Sequence, residues 1–289
     1  MSILADAETR VLVQGITGDQ GRFHTERMLA YGTNVVAGVV PGKGGEAVAG
    51  VPVYDTVARA TREQDADAAV VFVPPAVAAD ALFEALDADL DLVVAITEGI
   101  PAQDTSRVCR RLAETDTHLV GPNCPGVITP GKTKLGILPG DIFEPGRVGL
   151  VSRSGTLTYQ LVESLTARGL GQSTAVGIGG DPIVGSDFVD TLRLFENDPA
   201  TDAVVLCGEI GGESEQRGAR YVAEHVETPV VGFVAGRTAP PGKRMGHAGA
   251  IVSDSGAGTA GSKVDALETA GVPVGDTPAA VADLVAELV

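Results

Sequence analysis

The sequence predicts an α/β protein of two consecutive domains, each with the βαβ rhythm of a doubly wound parallel sheet. Three observations predict it. Short valine- and alanine-rich runs alternate with amphipathic stretches along the chain, which is the rhythm of βαβ units. Pro122, Pro125, Gly126, Pro130 and Gly131 interrupt that rhythm, and it then begins again. A length of 289 residues suits about two domains.

Residues 11–13, 34–40, 68–73 and 92–96 read as buried strands, because unbroken apolar runs suit strands covered on both faces. Helices are expected near 21–31, 55–64, 76–88 and 102–115. Together these form a first domain over 1–121. Residues 122–146 read as a linker or an irregular hairpin. The second domain, 147–289, opens on a strand at 148–151, with others at 174–178, 203–207 and 229–234. Helices near 155–168, 186–196, 214–226, 259–270 and 278–288 complete it. Ligands in such sheets sit beyond the carboxyl ends of the strands. The informative loops are therefore those that follow each strand.

Composition excludes several functions. Net charge is −17, from 38 acidic and 21 basic residues, so binding of nucleic acid by general electrostatics is not expected. Only five of the basic residues are lysines. Acid dispersed on a folded chain resembles the surface of a protein from a salt-rich cytoplasm, where salt screens self-repulsion. An ordinary acidic enzyme is the plainer reading. No run of about 18 apolar residues predicts a membrane span, and Met1-Ser2-Ile3-Leu4-Ala5-Asp6 has no basic region of a signal peptide. Cys109, Cys124 and Cys207 are odd in number and far apart. They suggest neither a metal site nor disulfides, and so a cytoplasmic location.

The first glycine turn reads Gly15-Ile16-Thr17-Gly18-Asp19-Gln20-Gly21. A turn of this kind presents backbone N–H groups and a helix N-terminus to phosphate. A dinucleotide site carries an acid about 20 residues later to hold the ribose diol. Here the chain reads Val40-Pro41-Gly42-Lys43-Gly44. An ammonium favours a phosphorylated ribose, as in coenzyme A or NADP, and a solvated loop lysine is the plainer alternative. Ile96-Thr97-Glu98 follows another strand and is expected on the same sheet edge. Cys124 has no base near it in sequence and reads as a packed thiol.

The second domain has its own candidates. Ser152-Arg153-Ser154-Gly155-Thr156 leads into a helix, so Ser154, Gly155 and Thr156 could bind an anion or simply cap the helix. Glu209 is expected at a strand's carboxyl end, where it could accept a hydrogen bond from an imidazole; a solvated glutamate is the plainer alternative. His247 lies in Gly246-His247-Ala248-Gly249, whose small neighbours leave an imidazole uncovered for nucleophilic work; a loop histidine that only packs or hydrogen-bonds is the plainer alternative.

In this order, the motifs resemble those of the α subunits of succinyl-CoA synthetase (succinate–CoA ligase). The further carriers are Gly121-Pro122-Asn123-Cys124-Pro125-Gly126, Thr158-Tyr159 and Gly208-Glu209-Ile210-Gly211-Gly212. The resemblance implies a Rossmann-like CoA-binding domain followed by a flavodoxin-like domain. It implies the reversible conversion of succinyl-CoA, phosphate and NDP into succinate, CoA and NTP. Coenzyme A would be a substrate, held by Thr17, Gly18, Asp19, Gln20, Lys43, Ile96, Thr97 and Glu98. His247, supported by Glu209, would carry the phosphoryl group, and Tyr159 would fall at a substrate position shared with a β subunit. That partner would supply an ATP-grasp domain and the Mg-nucleotide, in an αβ or α2β2 assembly. Asp19 departs from the small polar residue that the resemblance implies within the turn. A related NDP-forming ligase of malate or acetate, or a sensor of CoA or NADP, stands as the alternative.

Overall fold

The computed structural model describes residues 2–236 and 258–289. The chain divides into two compact units. One comprises residues 4–140 with 183–185; the other comprises 141–182 and 186–289, with the residues up to Ile3.

The first unit contains β1 (Val11–Gln14), α1 (Asp19–Tyr31), β2 (Val35–Val39), β3 (Ala47–Val48), β4 (Val51–Tyr54), α2 (Val57–Gln64) and β5 (Ala68–Val71). It continues through α3 (Pro75–Leu86), β6 (Leu92–Ala95), α4 (Ala102–Leu112), β7 (His118–Val120), β8 (Gly126–Thr129) and β9 (Thr133–Gly136). The first seven strands form one sheet in the order β3-β4-β2-β1-β5-β6-β7. All its pairings are parallel except β3 with β4. The strand order reverses at β1, whose neighbours are β2 and β5. This is the topological switch point of a Rossmann-like sheet.

Local chemistry sets the helix ends. Gly32 takes a left-handed φ of 99° and closes α1. Thr56 caps α2 through the N–H of Arg59. Pro75 starts α3, where its missing N–H costs nothing. Leu12, Leu82, Leu86, Val93 and Leu119 are fully buried between sheet and helices. Burial of a side chain of this size stabilises by about 1.5–3 kcal/mol.

Two features differ from the sequence reading. The β3–β4 hairpin was not expected, because Pro52 and the brevity of both strands hide the alternation that marks a strand. The stretch read as a linker or an irregular hairpin is a hairpin with a regular antiparallel pair, Gly126↔Gly136 to Thr129↔Thr133. Its glycines are required by close approach: a Cβ on Gly126 would lie 2.0 Å from the Leu135 carbonyl oxygen.

The second unit contains β10 (Pro145–Ser152), α5 (Gly155–Thr166), β11 (Gln172–Gly177), α6 (Phe188–Glu196) and β12 (Ala203–Glu209). It closes with α7 (Ser214–His225), β13 (Val230–Ala235), α8 (Ala260–Thr269), β14 (Val274–Gly275) and α9 (Pro278–Ala286). The strands run β14-β13-β12-β10-β11, all parallel. Counted within the unit, this is the flavodoxin-like order 2-1-3-4-5. Its switch point lies between β10 and β12, at Ser152 and Glu209.

Candidate active site

In the first unit, the chain leaves β1 through Gly15, at φ +83°. Gly18 N–H donates to the Gly15 carbonyl at 3.0 Å, and Arg22 N–H to Gly18 at 2.8 Å, which starts α1. A Cβ on Gly21 would stand 2.2 Å from the Gly15 oxygen, so only glycine lets the helix start so close to the turn. Gly18 caps α1 without a side-chain hydrogen bond. Gly18, Asp19 and Gln20 are exposed, so the positive helix end is open rather than covered by a cap of its own.

Thr17 to Gly21 line a cleft of about 460 Å³ whose apolar walls include Val39, Val40, Phe72, Val73 and Val77. That volume lies in the range of small-molecule sites, about 300–1,000 Å³. Apolar walls beside a helix N-terminus suit an amphiphilic nucleotide. The Lys43 ammonium donates to Thr17 Oγ1 at 3.1 Å and so stands beside the glycine turn. Thr97 Oγ1 donates to the Val73 carbonyl at 2.7 Å, which joins the turn after β6 to the cleft wall. Ile96 and Thr97 are half-buried and Glu98 is exposed. None of Lys43, Ile96, Thr97 and Glu98 lines the cleft itself; Lys43 and Thr97 are hydrogen-bonded to residues that do. The Cys124 thiol is buried against the Ala95 and Val120 carbonyls, at 3.3 and 3.6 Å.

In the second unit, Ser154 caps α5: its hydroxyl accepts from Leu157 N–H at 3.4 Å. Ser152 Oγ accepts from Ser154 N–H at 3.1 Å and holds the turn. Gly155 and exposed Thr156 occupy the first turn, and Tyr159 is half-buried on α5. Burial pushes the Tyr159 phenol up. Glu209 ends β12 with only 6% of its surface exposed. Its carboxylate lies 3.6 Å from the Arg153 guanidinium.

Arg153 belongs to a buried charge cluster. Its Nη1 donates to Glu215 Oε1 at 2.9 Å, to the Gly211 carbonyl at 2.9 Å and to the Glu209 carbonyl at 3.4 Å. Lys263 is ion-paired with Glu215 and donates to the Gly211 carbonyl at 2.8 Å. Glu215 also accepts from Glu209 N–H at 3.1 Å and from the Ser214 hydroxyl at 3.2 Å. Burial raises the Glu215 carboxyl, but the charges of Arg153 and Lys263 outweigh that and hold it below the usual range. Burial lowers the Lys263 ammonium, which Glu215 only partly opposes. Gly208 makes room for the cluster, since a Cβ there would meet Glu215 Cγ at 2.5 Å. Burial pushes the neighbouring Cys207 thiol up to about 12, which leaves it unreactive.

His247 lies outside the described residues. The residues that bound its segment do not. Gly258 accepts from Gly211 N–H at 2.8 Å. On the other side, a Cβ on Gly236 would lie 2.7 Å from Ile210 Cγ2. The loop Glu209–Gly212 is thus flanked by both ends of the segment that carries His247.

Arg153, Glu215 and Lys263 were not singled out from the sequence. One signal was available. Lys263 shares a face of α8 with buried Ala260 and Leu267, so helical spacing places a charge on a core face, where it needs a partner.

A family model described as "CoA binding domain" matches residues 6–99, and one described as "CoA-ligase" matches residues 151–273. A curated relative named succinate–CoA ligase [ADP-forming] subunit alpha 2, from Archaeoglobus fulgidus, is 62% identical over 288 residues, covering 100% of both chains. The corresponding α subunit of Staphylococcus epidermidis is 57% identical, over 96% of this chain and 92% of its own. Among solved structures, an ATP citrate lyase variant from Methanosaeta concilii in complex with (3S)-citryl-CoA superimposes with a TM-score of 0.90 at 26% identity. The match covers 99% of this chain and 50% of the lyase, so the chain spans about half of that protein's length.

Proposed function

This chain belongs to the succinate–CoA ligase α-subunit family, and from that premise we propose how its residues perform the reaction. It is a ligase subunit that forms carbon–sulfur bonds together with a β subunit. In the proposed cycle, phosphate displaces CoA from succinyl-CoA to give succinyl phosphate. His247 takes the phosphoryl group, which releases succinate, and passes it to ADP, the nucleotide its relatives' names specify, to give ATP and the free histidine. The nucleotide binds an ATP-grasp domain of the β subunit, in an αβ or α2β2 assembly.

Coenzyme A is read into the cleft beside Thr17, Gly18, Asp19 and Gln20. The backbone N–H groups of the first turn of α1 would face its phosphates, and Lys43 its ribose phosphate. Ile96, Thr97 and Glu98 would border the chain that leads to the thiol. The absence of a side-chain cap on α1 supports the fit, because such a cap would occupy one of those N–H groups.

In the second unit, Ser154, Gly155 and Thr156 would face phosphate and Tyr159 the succinyl group. Glu209 would accept a hydrogen bond from one nitrogen of His247 and so direct the other at phosphorus. The observation that carries this reading is the contact of both ends of the His247 segment with the Glu209–Gly212 loop, at the switch point of the sheet. The proposed division is a CoA-binding domain over 1–121, a connecting hairpin over 122–146 and a histidine-bearing domain over 147–289. A salt-rich cytoplasm is the proposed setting.

Labelling tests the reading. The chain with its β subunit and NTP should gain phosphate that survives base and is lost in acid. His247→Ala should abolish label and turnover while CoA binding persists. Glu209→Gln should label slowly, because an amide orients an imidazole without stabilising its positive charge. Label retained in His247→Ala would move the role to another histidine.

A further inference from the structure

We infer that Arg153, Glu215 and Lys263 form a buried set of positioning residues that fixes the Glu209 carboxylate for phosphoryl transfer. The inference rests on the reading of Glu209 above. The geometry begins with cost. Three ionised side chains, none more than 6% exposed, are expensive to remove from water unless each is closely paired. An apolar cluster would hold these helices as well or better. The charges are arranged instead around one short loop, whose backbone takes hydrogen bonds from or gives them to all three.

Glu215 is the anchor. One of its oxygens accepts from Glu209 N–H and from Arg153, at 3.1 and 2.9 Å. The other accepts from Ser214 and is ion-paired with Lys263. Arg153 and Lys263 also both donate to the Gly211 carbonyl, at 2.9 and 2.8 Å. The backbone on both sides of Ile210 is thus clamped from β10, α7 and α8. The rigid fork of Arg153 then leaves Nη2 3.6 Å from Glu209 Oε1. Its charge acts on the carboxylate at that distance without a direct hydrogen bond.

Two disturbances follow from the charges. If Lys263 loses its charge, Glu215 draws Arg153 more strongly and away from Glu209. If Glu215 is neutralised as well, Arg153 has Glu209 as its remaining carboxylate and pulls it out of line. Either shift acts on the orientation of Glu209 and leaves the CoA cleft in the other unit untouched.

The test uses the αβ enzyme and steady-state turnover. Lys263→Met should lower kcat about tenfold with KM for CoA unchanged. In the Glu209→Gln background it should cost little more, because the group being positioned is already gone. Because Lys263→Met removes one partner of the buried Glu215, the pair Glu215→Gln/Lys263→Met, which strands no carboxylate, is measured beside it and should show the same pattern. An unchanged kcat, or a full tenfold loss in the Glu209→Gln background, would overturn the inference while the Glu209 reading stands. An unchanged kcat in Glu209→Gln alone would overturn both.

Discussion

Lys43 reaches the cleft by a single hydrogen bond to Thr17, and its exposure leaves that charge partly screened. Lys43→Glu replaces attraction for a ribose phosphate with repulsion. CoA binding should weaken about tenfold while folding is spared. Dephospho-CoA should lose most of this sensitivity; titration calorimetry with both ligands checks it. His24 provides a second measurement in the same unit. Its ring stacks on Phe72, with centroids 5.4 Å apart and planes 4° from parallel. Burial first, then the charges of Lys134 and Arg27, pushes its pKa down. The folded state therefore favours neutral imidazole. This contribution to stability is fully present above the unfolded value of about 6.5 and is lost as pH falls through the lower folded value. An NMR titration should place the His24 midpoint below that of a free histidine, and His24→Asn should flatten the stability curve in that window.

At the scale of elements, the β1–α1 junction is the most demanding. Gly21→Ala would put a methyl carbon 2.2 Å from the Gly15 carbonyl oxygen, and neither is the flexible end of a side chain. The helix must move away from the turn. A loss of about 1–3 kcal/mol is expected, with weakened CoA binding, because the N–H groups of Gly18 to Gln20 move with the helix. Chemical denaturation and CoA titration of the same variant measure both. The turn was legible because all its residues fall in one short stretch, Gly15 to Gly21. The Ser154 turn was legible for the same reason, and its hydroxyl does cap α5. The β3–β4 hairpin was not, since two-residue and proline-containing strands carry no usable period.

For the whole molecule, charge dominates. A net charge of −17 implies self-repulsion that salt screens, with a Debye length of about 10 Å at 0.1 M and 3 Å at 1 M. The melting temperature should rise between low and multimolar KCl; a flat or falling trend would count against adaptation to salt. No described helix is long and apolar enough to cross a membrane.

The alternation of apolar runs, the proline-rich interruption and the contiguous motifs determined the two α/β units, the glycine turn and the place of Glu209 at a strand's carboxyl end from sequence alone. Period and local turn chemistry act over a few residues, so they are readable along a line. The strand orders that put Thr17 and Glu209 at switch points were decided only in three dimensions, by which crossover turned to which side. The charge cluster was decided there too. Arg153 meets Glu215 across 62 positions, and Lys263 meets it across 48. A buried charge can choose its partner only when packing has excluded water and brought distant elements together.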